Sequence, residues 1–364
     1  MKKRKSLLVV LLIVSFILVA GCSQAELGFW KTYGKIATMN KSLLTGEAYV
    51  SFNMSGQAVP AEYEKAMDLL EDLSIKYELR SSQQPEKLNL DLAYKTGHLD
   101  YKHLTNVRLV DNYFYLEIQP LMGFLKEYLP GLAGDLTQAE MLFQDVEYIK
   151  IRVPQEQQYE LNNPQQINTV INNFTKNLKS IFAGYQTDLV TKDGHNYVLE
   201  VNLDSLLKTV KDLADYTLEN SDQILSAVYY NLDDLDEETL ALMLNVPPEE
   251  VNKAEIKAAL QQFRNDFASH KASYQEQIEA VYQMREVIKE NIERYEARIE
   301  LFDKSDGKIG VKETVNLDLK DSSGFRVGLF ALQNTDVKEV DDVIVTAPQG
   351  KVLDLAVFEN MDHQ

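Results

Sequence analysis

The chain has 364 residues, 45% of them apolar, with 37 basic against 56 acidic side chains and a formal net charge of −19. That length supplies ample material for a buried core, and that charge excludes nucleic-acid binding by phosphate neutralisation or a polybasic grip on anionic lipid. A single cysteine, Cys22, excludes an intrachain disulfide and a cysteine-built metal centre.

In chain order, the first element is a targeting segment. Lys2, Lys3, Arg4 and Lys5 precede an almost unbroken apolar run from Leu7 to Ala20, which closes on Val19-Ala20-Gly21-Cys22. A charged start, a short apolar run and small residues before a cut describe a secretory signal peptide over residues 1–21. The run has about 14 residues against the roughly 20 that a spanning helix needs, which disfavours an uncleaved anchor. The segment resembles the lipobox signal of bacterial lipoproteins. That resemblance implies a diacylglyceryl thioether (palmitate-type chains) on Cys22, a lipidated tether over residues 22–28, and a place at the cell membrane facing outside the cytoplasm. Two acyl chains pass the threshold for stable anchoring, which one does not. Without the signal's basic residues the net charge becomes −23.

Residues 29–364 read as one α+β domain carrying a helical insertion at 221–292. Phe29 to Asn40 has Phe29, Trp30, Tyr33, Ile36 and Ala37 at helical spacing, with Trp30 expected to dock this helix on the core. From Leu44 the period changes to two, and Ala48, Val50, Phe52 and Met54 form the buried face of a strand. Pro60 suits the start of a helix over Ala61 to Leu73. A meander follows, with strands around Ile75–Leu79, Leu88–Tyr94, Leu99–Tyr101, Val107–Val110 and Tyr113–Ile118. Thr96-Gly97 and Asp111-Asn112 supply turns. Pro120 to Gly131 reads as a short apolar helix or lid, and Val146 to Val153 returns to strand.

Pro164 to Phe182 carries the clearest amphipathic stripe of the chain, stopped by Gly184. Asp193-Gly194 joins Tyr185–Val190 to Tyr197–Leu203 as a hairpin. Asp204 is placed to cap a helix striped by Leu206, Leu207, Val210, Leu213 and Leu218. Residues 221–292 read as helical and highly charged, as in a surface helical hairpin. Pro247-Pro248 divide that block, and Glu249-Glu250 suit the first turn after them. Strands resume at Tyr295–Leu301, Val315–Leu319 and Phe325–Leu329, with turns at Asp306-Gly307 and Ser323-Gly324. A last strand falls in Val343–Val345 or Val352–Phe358, before a fraying tail. The sum is a curved antiparallel sheet with helices packed on one side.

Catalytic constellations are hard to find. His98, His103, His195, His270 and His363 lack the spacing of a zinc site. No serine occupies a Gly-x-Ser-x-Gly elbow, and neither phosphate-binding glycine loop is present. Asp233-Asp234-Leu235-Asp236-Glu237-Glu238 has no glycine at the sixth position of a calcium loop, and Asp303-Lys304-Ser305-Asp306-Gly307 has it one place early. The expectation is a protein with no catalytic residue, no metal and no cofactor.

What remains is aromatic and apolar material crowded into one region. The expected lining of an apolar groove is Tyr101, Tyr113, Tyr115, Leu121, Phe124, Leu125 and Tyr128, since ligand pockets are mostly apolar with a few polar groups. The lipobox, the short Trp30 helix, the strand Thr45-Gly46-Glu47-Ala48-Tyr49-Val50 and the meander together resemble the half-barrel lipoproteins and lipid carriers of the LolA/LppX type. Such a resemblance implies an unclosed barrel holding acyl chains, over about residues 29–218 and 294–335. Two functions follow as expectations. One is a non-catalytic, membrane-anchored carrier of a hydrophobic or amphiphilic ligand. The other is an envelope protein that docks a protein partner through helices 221–292.

Overall fold

In a computed structural model of the protein, the described residues are 24–55, 64–83, 86–128, 141–153, 185–235, 237, 240–241, 247, 249, 251–304, 306–321 and 323–355. The expected signal peptide, Cys22, the helix over Pro164–Phe182 and the last residues lie outside them. The chain divides into two units: 1–30, 155–191 and 203–288 form one, and 31–154, 192–202 and 289–364 the other.

The second unit is built on an open, curved sheet of 12 strands. Its first run is β1 (Lys41–Ser55), β2 (Leu73–Gln83), β3 (Glu86–Thr96), β4 (Lys102–Val110), β5 (Tyr113–Glu117) and β6 (Tyr148–Arg152), each beside its predecessor. Its second run is β7 (Val190–Asp193), β8 (Asn196–Asn202), β9 (Ile292–Asp303), β10 (Ile309–Lys320) and β11 (Arg326–Glu339). The runs meet where β11 pairs antiparallel with β1, from Ser42↔Glu339 to Ser55↔Arg326. The short β12 (Val352–Asp354) adds parallel to β6. Register shifts at Leu92/Ala93 and at Asp318/Leu319 bend and twist the strands, as bulges do.

The turn chemistry works as the residues require. Asp111 and Asn112 both take positive φ (51° and 64°), as a two-residue hairpin with the sheet's own twist demands. Two strands differ from expectation: β4 begins at Lys102, so Leu99 and Tyr101 belong to the loop that Gly97 opens, and of the expected Tyr185–Val190 only Val190 is strand, at the start of β7. Val343 and Val345 form no strand either, but are buried in an arm that leads to β12.

Among the described residues the sheet unit carries the helices α2 (Glu64–Glu71) and α3 (Gln119–Tyr128). The other unit holds the opening turns of α1 (Gln24–Ala37), then α4 (Leu203–Glu219), α5 (Ser221–Asp234), α6 (Lys253–Gln283) and the start of α7 (Arg285–Asn291). Helices α5 and α6 bury Leu225, Leu232, Val251 and Leu260 in one cluster. The helix after Pro247-Pro248 starts later than Glu249-Glu250 suggest, because the Asn252 side chain accepts from the Glu255 amide (3.1 Å) and caps it. In α1 the anchor is Phe29, which is fully buried, while Trp30 meets it edge-on at 5.1 Å and stays half-exposed.

Candidate ligand-binding face

Paired residues of adjacent strands share a face, so the registers sort every strand residue to one side of the sheet. On one side the rows are apolar. Ile75–Ala48, Leu73–Val50–Ala331–Val315–Ala297–Val201 and Phe52–Leu329–Leu317–Tyr295 run across strands β2 to β8. The same face continues through Leu90, Val107, Leu116 and Ile149 to the β6 edge. These side chains are mostly half-buried, in contrast to the sealed core residues Leu301 and Val337. The opposite side is largely charged, with Arg298 bridging Glu200 and Glu300 across β8 and β9. Burial pushes the Glu300 carboxyl up, but Arg298 and Lys312 outweigh it and hold its pKa below the usual carboxylate range.

Helices α2 and α3 cover one end of the apolar face. Leu69 of α2 packs with Leu73 and Tyr94, and Phe124 and Tyr128 of α3 close the cluster. The three rings meet at 4.7 Å (Tyr94–Phe124), 5.1 Å (Phe124–Tyr128) and 6.0 Å (Tyr94–Tyr128). Burial, then the Glu127 charge, pushes the Tyr94 phenol up to about 12. Leu121 and Leu125 join a neighbouring cluster with Ile118, Met122 and Ile149. A shallow cleft of about 150 Å³ lies beside α3, lined by Gln119, Met122, Gly123, Lys126 and Phe143. Ligand pockets run to about 300–1,000 Å³, so this cleft is no acyl-chain site.

The other three expected lining residues lie on the charged side. Tyr115 is buried beneath Val343 and Val345 of the C-terminal arm, and Tyr113 flanks it with the Lys150 ammonium 3.9 Å above its ring. Tyr101 donates to Glu47, whose carboxylate also pairs with Lys95 at 3.5 Å. Burial, then Glu47, pushes the Tyr101 phenol up to about 12. The seven residues therefore line no common groove. Leu121, Phe124, Leu125 and Tyr128 come together over the apolar face; Tyr101, Tyr113 and Tyr115 do not join them. The alternation of strand side chains is the cause, since Tyr113 and Tyr115 face away from Phe114 and Leu116.

One polar island interrupts the apolar face. Tyr77 lies across Gly46, where any Cβ would collide with its ring, and hydrogen-bonds Thr335. The Gln333 amide donates to the Tyr77 oxygen (2.8 Å) and to the Thr335 hydroxyl (3.1 Å). Glu313 stands opposite Gln333 on β10, with Ile299 on its other side. Among the described residues no cation pairs with Glu313.

Elsewhere, His103 pairs with Glu117 at 2.7 Å, and His270 lies near the Asp266 carbonyl on α6, 2.7 Å away. Among the described residues no three metal-ligating side chains of His, Cys, Asp or Glu converge. Between β9 and β10, Lys304 N–H donates to the Lys308 carbonyl (2.9 Å) and Gly307 takes a positive φ, as a hairpin turn requires. No described helix is long and apolar enough to cross a membrane. No protein-family model, curated protein or solved structure matches the chain.

Proposed function

We propose that this protein is a membrane-anchored lipoprotein, held through Cys22 outside the cytoplasm, that carries a hydrophobic or amphiphilic ligand without catalysis. The carrying observation is the apolar face of the sheet. Its rows from β2 to β8 are continuous and only half-buried, a surface that gains roughly 25 cal/mol per Å² when an acyl chain covers it. In this reading the open sheet serves as a half-barrel, with α2 and α3 closing one end and the charged side in water. A tethered carrier also works at high effective concentration next to its lipid source.

The test is lipid extraction. The protein purified without detergent is extracted with organic solvent and its extract weighed by mass spectrometry. The expected result is a stoichiometric amphiphile, lost in the variant Leu317→Asp/Leu329→Asp, whose two sites face each other across β10 and β11. A lipid-free protein that also fails to bind Nile red refutes the carrier.

One observation favours the docking alternative. Val281, Met284 and Val287, at the end of α6 and in α7, are each more than half exposed. An envelope protein partner that covers them would be lost on changing all three to serine.

A further inference from the structure

The carrier reading leaves the ligand's polar end undefined, and the inference drawn here rests on that reading. A face built to cover acyl chains has no use for a carboxylate, yet Glu313 stands in it. Its β10 neighbours on the same face are Val311 and Val315, and its cross-strand neighbours are Gln333 and Ile299. The rest of β10 obeys strict alternation, so Glu313 breaks the pattern at one position. Gln333 donates both of its described hydrogen bonds through the amide nitrogen, to Tyr77 and Thr335, so its carbonyl oxygen is turned over to acceptor duty. Glu313 and its cross-strand neighbour Gln333 thus both offer acceptors, with no cation for Glu313 among the described residues.

We propose that this pair receives the head group of the carried amphiphile, and that the head is a hydrogen-bond donor, a hydroxyl or an ammonium, rather than a carboxylate. The argument is electrostatic. A chain laid along the rows on either side removes water from Glu313. A carboxylate deprived of water is stable only if a donor replaces it. A hydroxyl or ammonium head supplies that donor. A fatty-acid carboxylate brings a second negative charge to the same spot and supplies none. Tyr77 and Thr335 occupy the amide nitrogen of Gln333, which leaves its carbonyl oxygen as the acceptor of that side chain.

Displacement of Nile red from the full chain by dodecylamine, 1-dodecanol and dodecanoate tests this, since the three share a chain and differ in the head. Both donors are expected to displace the dye at a concentration about tenfold or more below that of dodecanoate, the scale of one charge-assisted hydrogen bond. Glu313→Gln should remove the advantage, and Glu313→Lys should turn the preference towards dodecanoate. Glu78→Gln, on the charged side of β2, should change nothing and so controls for general attraction of amines to an acidic protein. Loss of preference in Glu313→Gln for the amine alone assigns an ammonium head; loss for both assigns the shared donor. If the dye binds and the three heads compete equally, or dodecanoate wins, the head-group assignment is overturned while the carrier stands. If the dye does not bind at all, the carrier falls and this inference with it.

Discussion

Gly46→Ala is the sharpest perturbation the fold offers. A methyl there would sit 2.5 Å from the Asn334 carbonyl oxygen and 2.5 Å from the Tyr77 ring carbon Cζ, against 3.4–4 Å for ordinary contact. The ring can swing aside, at the loss of its bonds to Thr335 and Gln333, worth about 1 kcal/mol each. The carbonyl belongs to β11 and can move only by opening the β1–β11 ladder, an overpacking cost of about 1–3 kcal/mol. Removing a glycine from the unfolded chain returns about 0.4–1 kcal/mol. The net expectation is a destabilisation of about 3 kcal/mol. Urea unfolding followed by far-UV circular dichroism reads it; Trp30 fluorescence does not, because that residue lies in the other unit. Tyr77→Phe, which keeps the ring and loses only the hydroxyl, should cost about 2 kcal/mol. If Gly46→Ala costs less than about 0.5 kcal/mol, the close approach of Tyr77 and β11 is not what the glycine is for.

The buried Asn106 amide donates to Asp91 (2.6 Å) while its oxygen accepts from Arg108 Nε (2.7 Å), so Asn106→Ala should cost about 1–3 kcal/mol by thermal melting, through partners left unsatisfied. Asn252→Ala should lower the stability of the helical unit by about 1 kcal/mol, read by hydrogen exchange at the start of α6. Tyr94, Tyr101 and Tyr185, each pushed up to about 12 mainly by burial, should ionise last in an absorbance titration at alkaline pH. Between pH 10 and 12 the folded chain holds those protons and the unfolded chain does not. Stability therefore falls as pH rises through that window, by about 1.4 kcal/mol per unit for each tyrosine, and Tyr94→Phe should remove about a third of the slope.

Local chemistry was legible where one or two residues decide it. Asp111-Asn112, Asp193-Gly194, Asp306-Gly307 and Ser323-Gly324 all turn where their dihedral freedom allows, and the strands between them alternate as written. Pairing was not legible. Nothing in the period of β1 says that it will lie against β11, and the parallel addition of β12 depends on an arm that crosses to it by buried Val343 and Val345. The expected groove failed to assemble for a related reason. Density along the chain counts Tyr113, Phe114 and Tyr115 together, whereas a sheet sends them to opposite sides. A usable signal did exist: Glu313 interrupts the series Val311, Val315, Leu317, Leu319, and only a parity count along that one strand reveals it.

The sheet's edges bear on which surface can bind. An exposed edge offers unpaired amides and carbonyls, so a long one invites another strand. Here the edge strands are the shortest of the sheet, Val190–Asp193 and Val352–Asp354. Both long central strands, β1 and β11, are paired on both sides. Association by strand addition therefore has little backbone to use. The half-buried side chains of the apolar face are the other surface that the sheet offers. In the proposed carrier such a face would recognise its ligand by burying carbon, with direction set only where polarity intrudes. In the proposed carrier, Glu313, a carboxylate in the middle of β10 with no cation among the described residues, would give such a ligand a fixed end.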